Sequence, residues 1–320
     1  MNASPDTRSR ILGGLWGSLV GDALGVPVEF QDRAARTTDP VTGMRAYGTH
    51  RQPAGTWSDD GALLLCSAES LVEHGFDTDD MGRRFLRWHD DGHWTAHGNV
   101  FDIGIATRQA LMRIRQGVIA EQAGGQDEFS NGNGSLMRIL PVALIALNGD
   151  MEGLRTRIHR ASAITHGHLR SQMACVYFGF LVRALMKGRS QAEAVKAACS
   201  EFTAEYAKCP EMPAFQRILD RGFGTLPPSE IYSDGYVMHT LEAAVWCLLT
   251  TDDFSCCVLK AVNLGGDTDT TGCVAGGLAG VLYGLEHIPP EWCGALPQQT
   301  DLTGLLGRFE HTCRNGVSAP

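Results

Sequence analysis

The sequence has no basic surplus. Its 27 Lys and Arg stand against 36 Asp and Glu, a formal net charge of −9. That balance argues against a general nucleic-acid or acidic-membrane binder, although a local pocket can still take an anion. It also has no C-x-x-C pair. The ten cysteines are scattered, several in apolar runs (Cys66, Cys175, Cys247, Cys273), and read as buried thiols in a reducing cytosol, not as disulfides or a zinc cage. Apolar stretches such as "CVAGGLAGVLYGL" fall short of the ~20 residues that span a bilayer. The opening "MNASPDTRSR" lacks the apolar core of a signal peptide. These absences predict a cytoplasmic protein without a membrane partner.

Strand-like alternation is nearly absent as well. There is no low-complexity linker and no repeat of about 20–50 residues that would signal a solenoid. What is present is apolar residues at helical spacing, in a chain of 320 residues that is 43% hydrophobic and can bury a sizeable core. The periodicity predicts an all-α fold, with helices at about 8–24, 60–74, 79–90, 103–116, 135–148, 152–164, 168–187, 190–207, 238–250, 254–262, 270–285 and 302–312. Pro141 predicts a kink or break in the fifth. Loops rich in Gly, Asp, Asn and Pro fall at 39–61, 91–102, 122–134 and 223–237. The chemistry-bearing loops are spread from residue 29 to residue 270. If they make one site, residues 1–320 form one domain, with its core at about 8–312.

Two predicted helices carry glycine rows, at Gly13, Gly17, Gly21 and Gly25 and at Gly272, Gly276, Gly280 and Gly284. A helical glycine costs up to ~1 kcal/mol against alanine. An i, i+4 row lies on one face, so close backbone approach is the expected compensation. Antiparallel packing of the two helices would bring Glu29 near Asp267 and Asp269.

Two stretches concentrate carboxylates before apolar helices: "GTWSDDGALLL" with Ser58, Asp59 and Asp60, and "NLGGDTDTTG" with Asp267, Asp269 and Thr270. Either alone reads as an N-cap, with Asp269 or Thr268 the cap in the second. Together they form an oxygen-only ligand set of the kind Mg²⁺ and Mn²⁺ take. Four converging carboxylates would repel one another strongly, and a pair of divalent ions ~3.5–4 Å apart relieves that repulsion. "SNGNGSLMRILP" is a glycine-rich turn opening a predicted helix. It suits a phosphate on backbone N–H groups, or is an ordinary Asn-Gly turn with a Ser cap. Asp102 precedes a helix and reads alone as a cap, and His166 in "SAITHGH" reads alone as a structural histidine. His89, His93 and His97 recur every four residues, but Asp90-Asp91-Gly92 should end the helix, so they need not share a face or bind zinc.

Taken in order, "GGLWGSLVGDALGVPVEF", "GTWSDDGALLL", "FDIGIATRQAL", "NGNGSLMRILPVAL", "ITHGH" and "AVNLGGDTDTTGCVAGGLAG" resemble the ADP-ribosylglycohydrolase family over nearly the whole chain. That family includes the dinitrogenase reductase-activating glycohydrolases and the ADP-ribosyl-acceptor hydrolases. The resemblance implies an all-α domain with a dinuclear Mg²⁺ or Mn²⁺ centre at the base of a cleft. It implies metal ligation by Ser58, Asp59, Asp60, Asp267, Asp269 and Thr270, and catalysis by Glu29 with Asp102 as a second acidic group. It places the ADP part at Gly132, Asn133, Gly134, Ser135 and Met137, with His166 at the cleft. Gly61 departs from the family's frequent Thr and bears on metal affinity. The implied reaction removes ADP-ribose from an acceptor, with ADP-ribosyl-arginine leading by analogy. A non-catalytic ADP-ribose-binding or ADP-ribosyltransferase-blocking protein on this fold is the alternative, and six metal-type ligands beside Glu29 count against it.

Overall fold

The computed structural model describes residues 5–147 and 149–315. Fifteen α-helices and several short 3-10 turns account for the regular structure among the described residues, which contain isolated bridges but no strand. In chain order the helices are α1 (Thr7–Gly25), α2 (Arg33–Thr38), α3 (Asp59–His74), α4 (Thr78–Asp91), α5 (Ile105–Arg115), α6 (Leu140–Ile145), α7 (Met151–Ala163) and α8 (Leu169–Met186). There follow α9 (Gln191–Tyr206), α10 (Gln216–Leu219), α11 (Val237–Leu249), α12 (Phe254–Val262), α13 (Thr268–Tyr283), α14 (Pro290–Ala295) and α15 (Gln299–Asn315). The all-α expectation holds. The helices absent from the sequence reading, α2, α10 and α14, have six, four and six residues, too few to display a 3.6-residue period.

The largest departure is at α6. Periodicity predicts a helix over 135–148, but the described helix covers Leu140–Ile145 with Pro141 in its first turn. Proline has no N–H to bond back to residue 137, so a helix can start there but not run through. Residue 148, the end of the predicted span, lies outside the described residues.

α1 and α13 form the central pair, and the glycine rows explain why. A Cβ at Gly13 would lie 2.4 Å from the Gly280 oxygen, one at Gly17 2.3 Å from that of Gly276, and one at Gly21 2.0 Å from that of Gly272. Each step forward in one helix is a step back in the other, so they run antiparallel with their backbones touching. Gly25 completes the row against the backbone of Asp269. Gly284 also meets the row, its carbonyl carbon 2.8 Å from a Cβ at Gly13, but from outside α13. It stands beyond the helix as the C-cap at φ 85, a conformation glycine adopts freely. The chain leaves α1 through a 3-10 turn, Val26–Val28, which delivers Glu29 to the start of α13. Phe30 N donates to Gly266 O at 2.7 Å and Gly266 N to Gln31 O at 2.8 Å, stitching the two loops together. The segment Thr7–Val28 is long and apolar enough to cross a membrane, contrary to the reading of the apolar runs, but 94% of its apolar window is buried inside the protein. All ten cysteines are free; six are buried, and Cys256 is exposed.

Candidate active site

The α1–α13 contact places the acidic residues at one end of the pair. Ligand atoms of Glu29, Asp267 and Asp269 lie within 4.8 Å of one another, as the antiparallel packing predicts. Asp267 is the N-cap residue of α13, in place of the Asp269 or Thr268 expected, and its side chain makes no capping bond. It is turned instead to the Gly132 loop: Asn133 Nδ2 donates to Asp267 Oδ2 at 2.8 Å and to Thr240 Oγ1 at 2.9 Å.

The other carboxylate pair rides on the first turn of α3. Ser58 is the N-cap, its Oγ accepting from Asp60 N at 3.2 Å. Thr270 Oγ1 donates to Asp60 Oδ1 at 3.4 Å and so links the α3 cluster to the α13 cluster. Three buried carboxylate oxygens, Asp60 Oδ2, Asp267 Oδ1 and Asp269 Oδ2, have no hydrogen-bond partner. Burial, reinforced by mutual repulsion, pushes Asp59, Asp60 and Asp269 well above the ordinary carboxylate range. Unpartnered buried oxygens of this kind are expensive unless something positive meets them, and an oxygen-binding divalent cation fits them.

Two members of the site escaped the sequence reading. Asp22, in mid-α1, turns both carboxylate oxygens to Ser58 N at 3.0 Å, and Oδ2 also accepts from Gly61 N at 2.8 Å. It thus fastens the first turn of α3, and burial pushes its carboxyl up to about 7. A lone Asp among the glycines of "SLVGDALG" was the available signal. His50 comes from the long 39–61 loop, and its Nε2 bonds Glu29 Oε2. Glu29, His50 and Asp102 also have ligand atoms within 4.8 Å of one another. Nothing in the spacing of His50 marks it. Burial pushes the Glu29 carboxyl up to about 8, against the downward pull of His50.

Asp102 is not a helix cap, because α5 begins at Ile105 with Gly104 at the cap position. Asp102 takes φ 55, and Phe30, next to Glu29, takes φ 63. Left-handed backbone at a non-glycine residue costs roughly 1 kcal/mol or more and clusters at functional sites. Gly61 has a local cause: a Cβ there would lie 2.9 Å from Trp57 and from Leu19, so the site has no room for a threonine.

These groups share a cleft of about 350 Å³. Glu29, Asp59, Asp60, Asp102, Asp267 and Thr270 line its acidic side. Gly132, Asn133, Gly134, Met137 and His166 line the cleft too. The exposed rings of Phe30 and Phe129 and the side chain of Ile105 stand among its lining residues. Ser58, Asp269 and Ser135 are not in the lining. Ser135 Oγ is buried and accepts from Ser162 Oγ at 2.9 Å. The Gly132 loop does not open a helix either: Leu136 N and Met137 N turn back onto Asn133 O, and Asn133 N is spent on Gly235 O. Any anion here meets loop N–H groups without a helix dipole behind them. His89, His93 and His97 go to three separate partners, Asp90, Glu69 and Thr56.

The family model described as ADP-ribosylglycohydrolase matches residues 3–317. The chain is 32% identical over 309 residues to the ADP-ribosylarginine hydrolase Tri1 of Serratia proteamaculans, covering 94% of this chain and 79% of that protein. It is 30% identical over 308 residues to the ADP-ribosyl-[dinitrogen reductase] glycohydrolase of Rhodospirillum rubrum, covering 93% of each. A solved structure described as an ADP-ribosylglycohydrolase-related protein complex superposes with a TM-score of 0.82 at 35% identity, covering 96% of this chain and 99% of that one.

Proposed function

The chain belongs to the ADP-ribosylglycohydrolase family, and from that premise we propose that it removes ADP-ribose from the arginine side chains of modified proteins. The enzyme is a hydrolase of the glycosidic bond at C1 of the distal ribose. The observation that carries the reading is the acidic cleft itself, with three buried carboxylate oxygens unpartnered in its acidic cluster and the Gly132 loop in the same lining. Arginine as the acceptor is supported by the activity named for the Serratia relative. It is supported also by charge, because a guanidinium is attracted to a cleft lined by carboxylates.

Ser58, Asp59, Asp60, Asp267, Asp269 and Thr270 would hold two divalent cations, Mg²⁺ or Mn²⁺. Such ions supply Lewis-acid polarisation of the ribose oxygens and neutralise the crowded carboxylates. The rest is work for the protein's own side chains. Asn133 fixes the carboxylate of Asp267, and Asp22 fixes the turn that carries Asp59 and Asp60. Glu29 is the proton-transfer group. As the C1–N bond breaks through an oxocarbenium-like state, its electron pair stays on the guanidine nitrogen, a water oxygen bonds to C1, and the proton the water gives up passes by way of the Glu29 carboxylate to the guanidine, which leaves as a guanidinium. His50 orients Glu29 through its Nε2 contact, and Asp102 is the second acidic group on the same face. The backbone of the Gly132 loop, with Met137 and His166, receives the ADP portion. Because residues from Asp22 to Thr270 serve one cleft, we read the core at about 8–312 as one domain.

A panel of defined ADP-ribosyl linkages, incubated with and without Mg²⁺ and read by mass spectrometry, tests the reading. Metal-dependent release of free ADP-ribose from the arginine linkage is expected. Release only from other linkages would overturn the acceptor. Tight binding with no release from any linkage would make this a binding protein.

A further inference from the structure

Beneath the Gly132 loop lies a buried guanidinium with no carboxylate partner among the described residues. Arg138 is 2% exposed and packs over the Phe85 ring at 4.8 Å. Its best hydrogen bond runs from Nη2 to Thr165 Oγ1 at 2.6 Å, and its contacts to Ala161 O are long, at 3.4 Å. Thr165 Oγ1 lies in turn 2.8 Å from His166 Nδ1. Removing a cation from water without a counter-charge is costly, so its place here calls for a reason.

We propose that Arg138 and Thr165 are positioning residues that fix His166 as the Nε2–H tautomer, so that it offers a hydrogen-bond donor to an oxygen of the bound ADP-ribose. The argument is a count of protons. A threonine hydroxyl has one proton and two lone pairs, whereas a guanidinium can only donate. Arg138 therefore takes a lone pair of Thr165. Thr165 is fully buried, and the single hydroxyl proton has one partner that completes the network, His166 Nδ1. Reversing that bond, with Nδ1–H donating, would leave the hydroxyl proton buried without an acceptor. Nδ1 is thus the acceptor, and the one proton of the neutral ring sits on Nε2. Burial, aided by the nearby charge of Arg138, lowers the His166 pKa to about 3, consistent with a ring that stays singly protonated.

The opposite edge of the ring faces the glycine loop. A Cβ at Gly132 would lie 3.2 Å from Nε2 and one at Gly134 2.8 Å from Cε1, and His166 belongs to the cleft lining. Glycine at both positions keeps the space above the ring open. The identity of the acceptor oxygen rests on the function proposed above; the tautomer does not.

The test is ¹⁵N–¹H correlation NMR of the histidine side chains in the metal-loaded protein, with and without ADP-ribose. His166 is expected in the Nε2-protonated pattern before any ligand is added. An Nδ1-protonated or mixed pattern would overturn the proposal. Thr165→Val should lose the single-tautomer pattern and weaken ADP-ribose binding about tenfold, on the scale of one hydrogen bond. Thr165→Ser, which keeps the hydroxyl, should restore both. A Val variant that keeps the pattern and the affinity would refute the role of Thr165. Should that variant fail to fold, the wild-type and Ser spectra still decide. A wild-type protein that binds no ADP-ribose would sink the functional reading, while the tautomer measurement would still settle this one.

Discussion

Gly276→Ala adds one methyl group and tests the backbone contact between α1 and α13. On an exposed helix the change stabilises by about 0.5–1 kcal/mol, because alanine loses less conformational freedom on folding. At Gly276 the added carbon would lie 2.1 Å from the carbonyl oxygen of Gly17 and 2.9 Å from its carbon. Neither atom belongs to a side chain that can rotate away. Restoring ordinary contact requires the helices to part by roughly 1–1.5 Å. Overpacking costs about 1–3 kcal/mol. Rigid backbone neighbours place this case near the top of that range, and subtracting the helix-propensity gain leaves a net loss of roughly 2 kcal/mol. With a urea slope of about 3 kcal/mol/M for a chain of this size, the unfolding midpoint should fall by roughly 0.7 M. Gly307 is the control: it is on the exposed side of α15, and nothing lies within 4 Å of its Cβ position. Gly307→Ala should hold or raise the midpoint. Because α13 carries Asp269, Mg²⁺ affinity should fall along with stability in Gly276→Ala. An unchanged or raised midpoint for Gly276→Ala would refute the close-approach argument.

Metal removal should destabilise the protein by about 2.7 kcal/mol relative to a hundredfold excess over the dissociation constant, and abolish turnover; full activity in EDTA would contradict this. Burial raises Asp59, Asp60 and Asp269 well above their usual range, and Asp22 and Glu29 to about 7 and 8. The metal-free native state then holds more protons than the unfolded chain from about pH 4 to 8, so its stability should fall as pH rises through that window. Melting in EDTA at several pH values checks the sign, and a Tm that climbs with pH would be inconsistent with it. Glu29→Gln should lower kcat by 10²–10⁴-fold while ADP-ribose binding persists, whereas Asp269→Asn should lose metal, binding and activity together. Titration calorimetry beside single-turnover rates separates the two, and near-normal turnover by Glu29→Gln would move the proton-transfer role toward Asp102. Asp22→Asn presents an amide N–H₂ to one of the backbone donors Asp22 now serves, so it should cost about 1–3 kcal/mol and weaken Mg²⁺ binding; an unaltered Tm would show that the α3 turn holds without it.

The parts of the site legible in the sequence were those where composition defies local cost. Glycines every four residues and carboxylates before apolar runs both cost free energy locally, so their placement pointed to the α1–α13 contact and the acidic cleft. Residues that cost nothing locally stayed hidden. His50 sits in an irregular loop and becomes significant only because that loop folds back over Glu29. Arg138 looked like one more charged residue of a predicted helix, and its burial follows from packing against Phe85. The overlong helix at 135–148 has a different cause. Apolar periodicity persists through a segment that is buried in tight turns, and Pro141 marked the true start rather than a kink.

The pairing of α1 with α13 also has a consequence for how the protein is made. Roughly 240 residues separate Gly25 from Thr268. At about 5–20 residues per second, a ribosome needs on the order of 10–50 s to deliver the second helix after the first. Throughout that interval an apolar helix, able to meet α3 and α6 already, has its glycine face bare of its main native partner. In composition it passes for a membrane span. The nascent chain must therefore be kept from both aggregation and misdirected insertion until its last fifth emerges. Substitutions that add polarity to α1 would relieve that hazard only by weakening the contact on which the cleft is built.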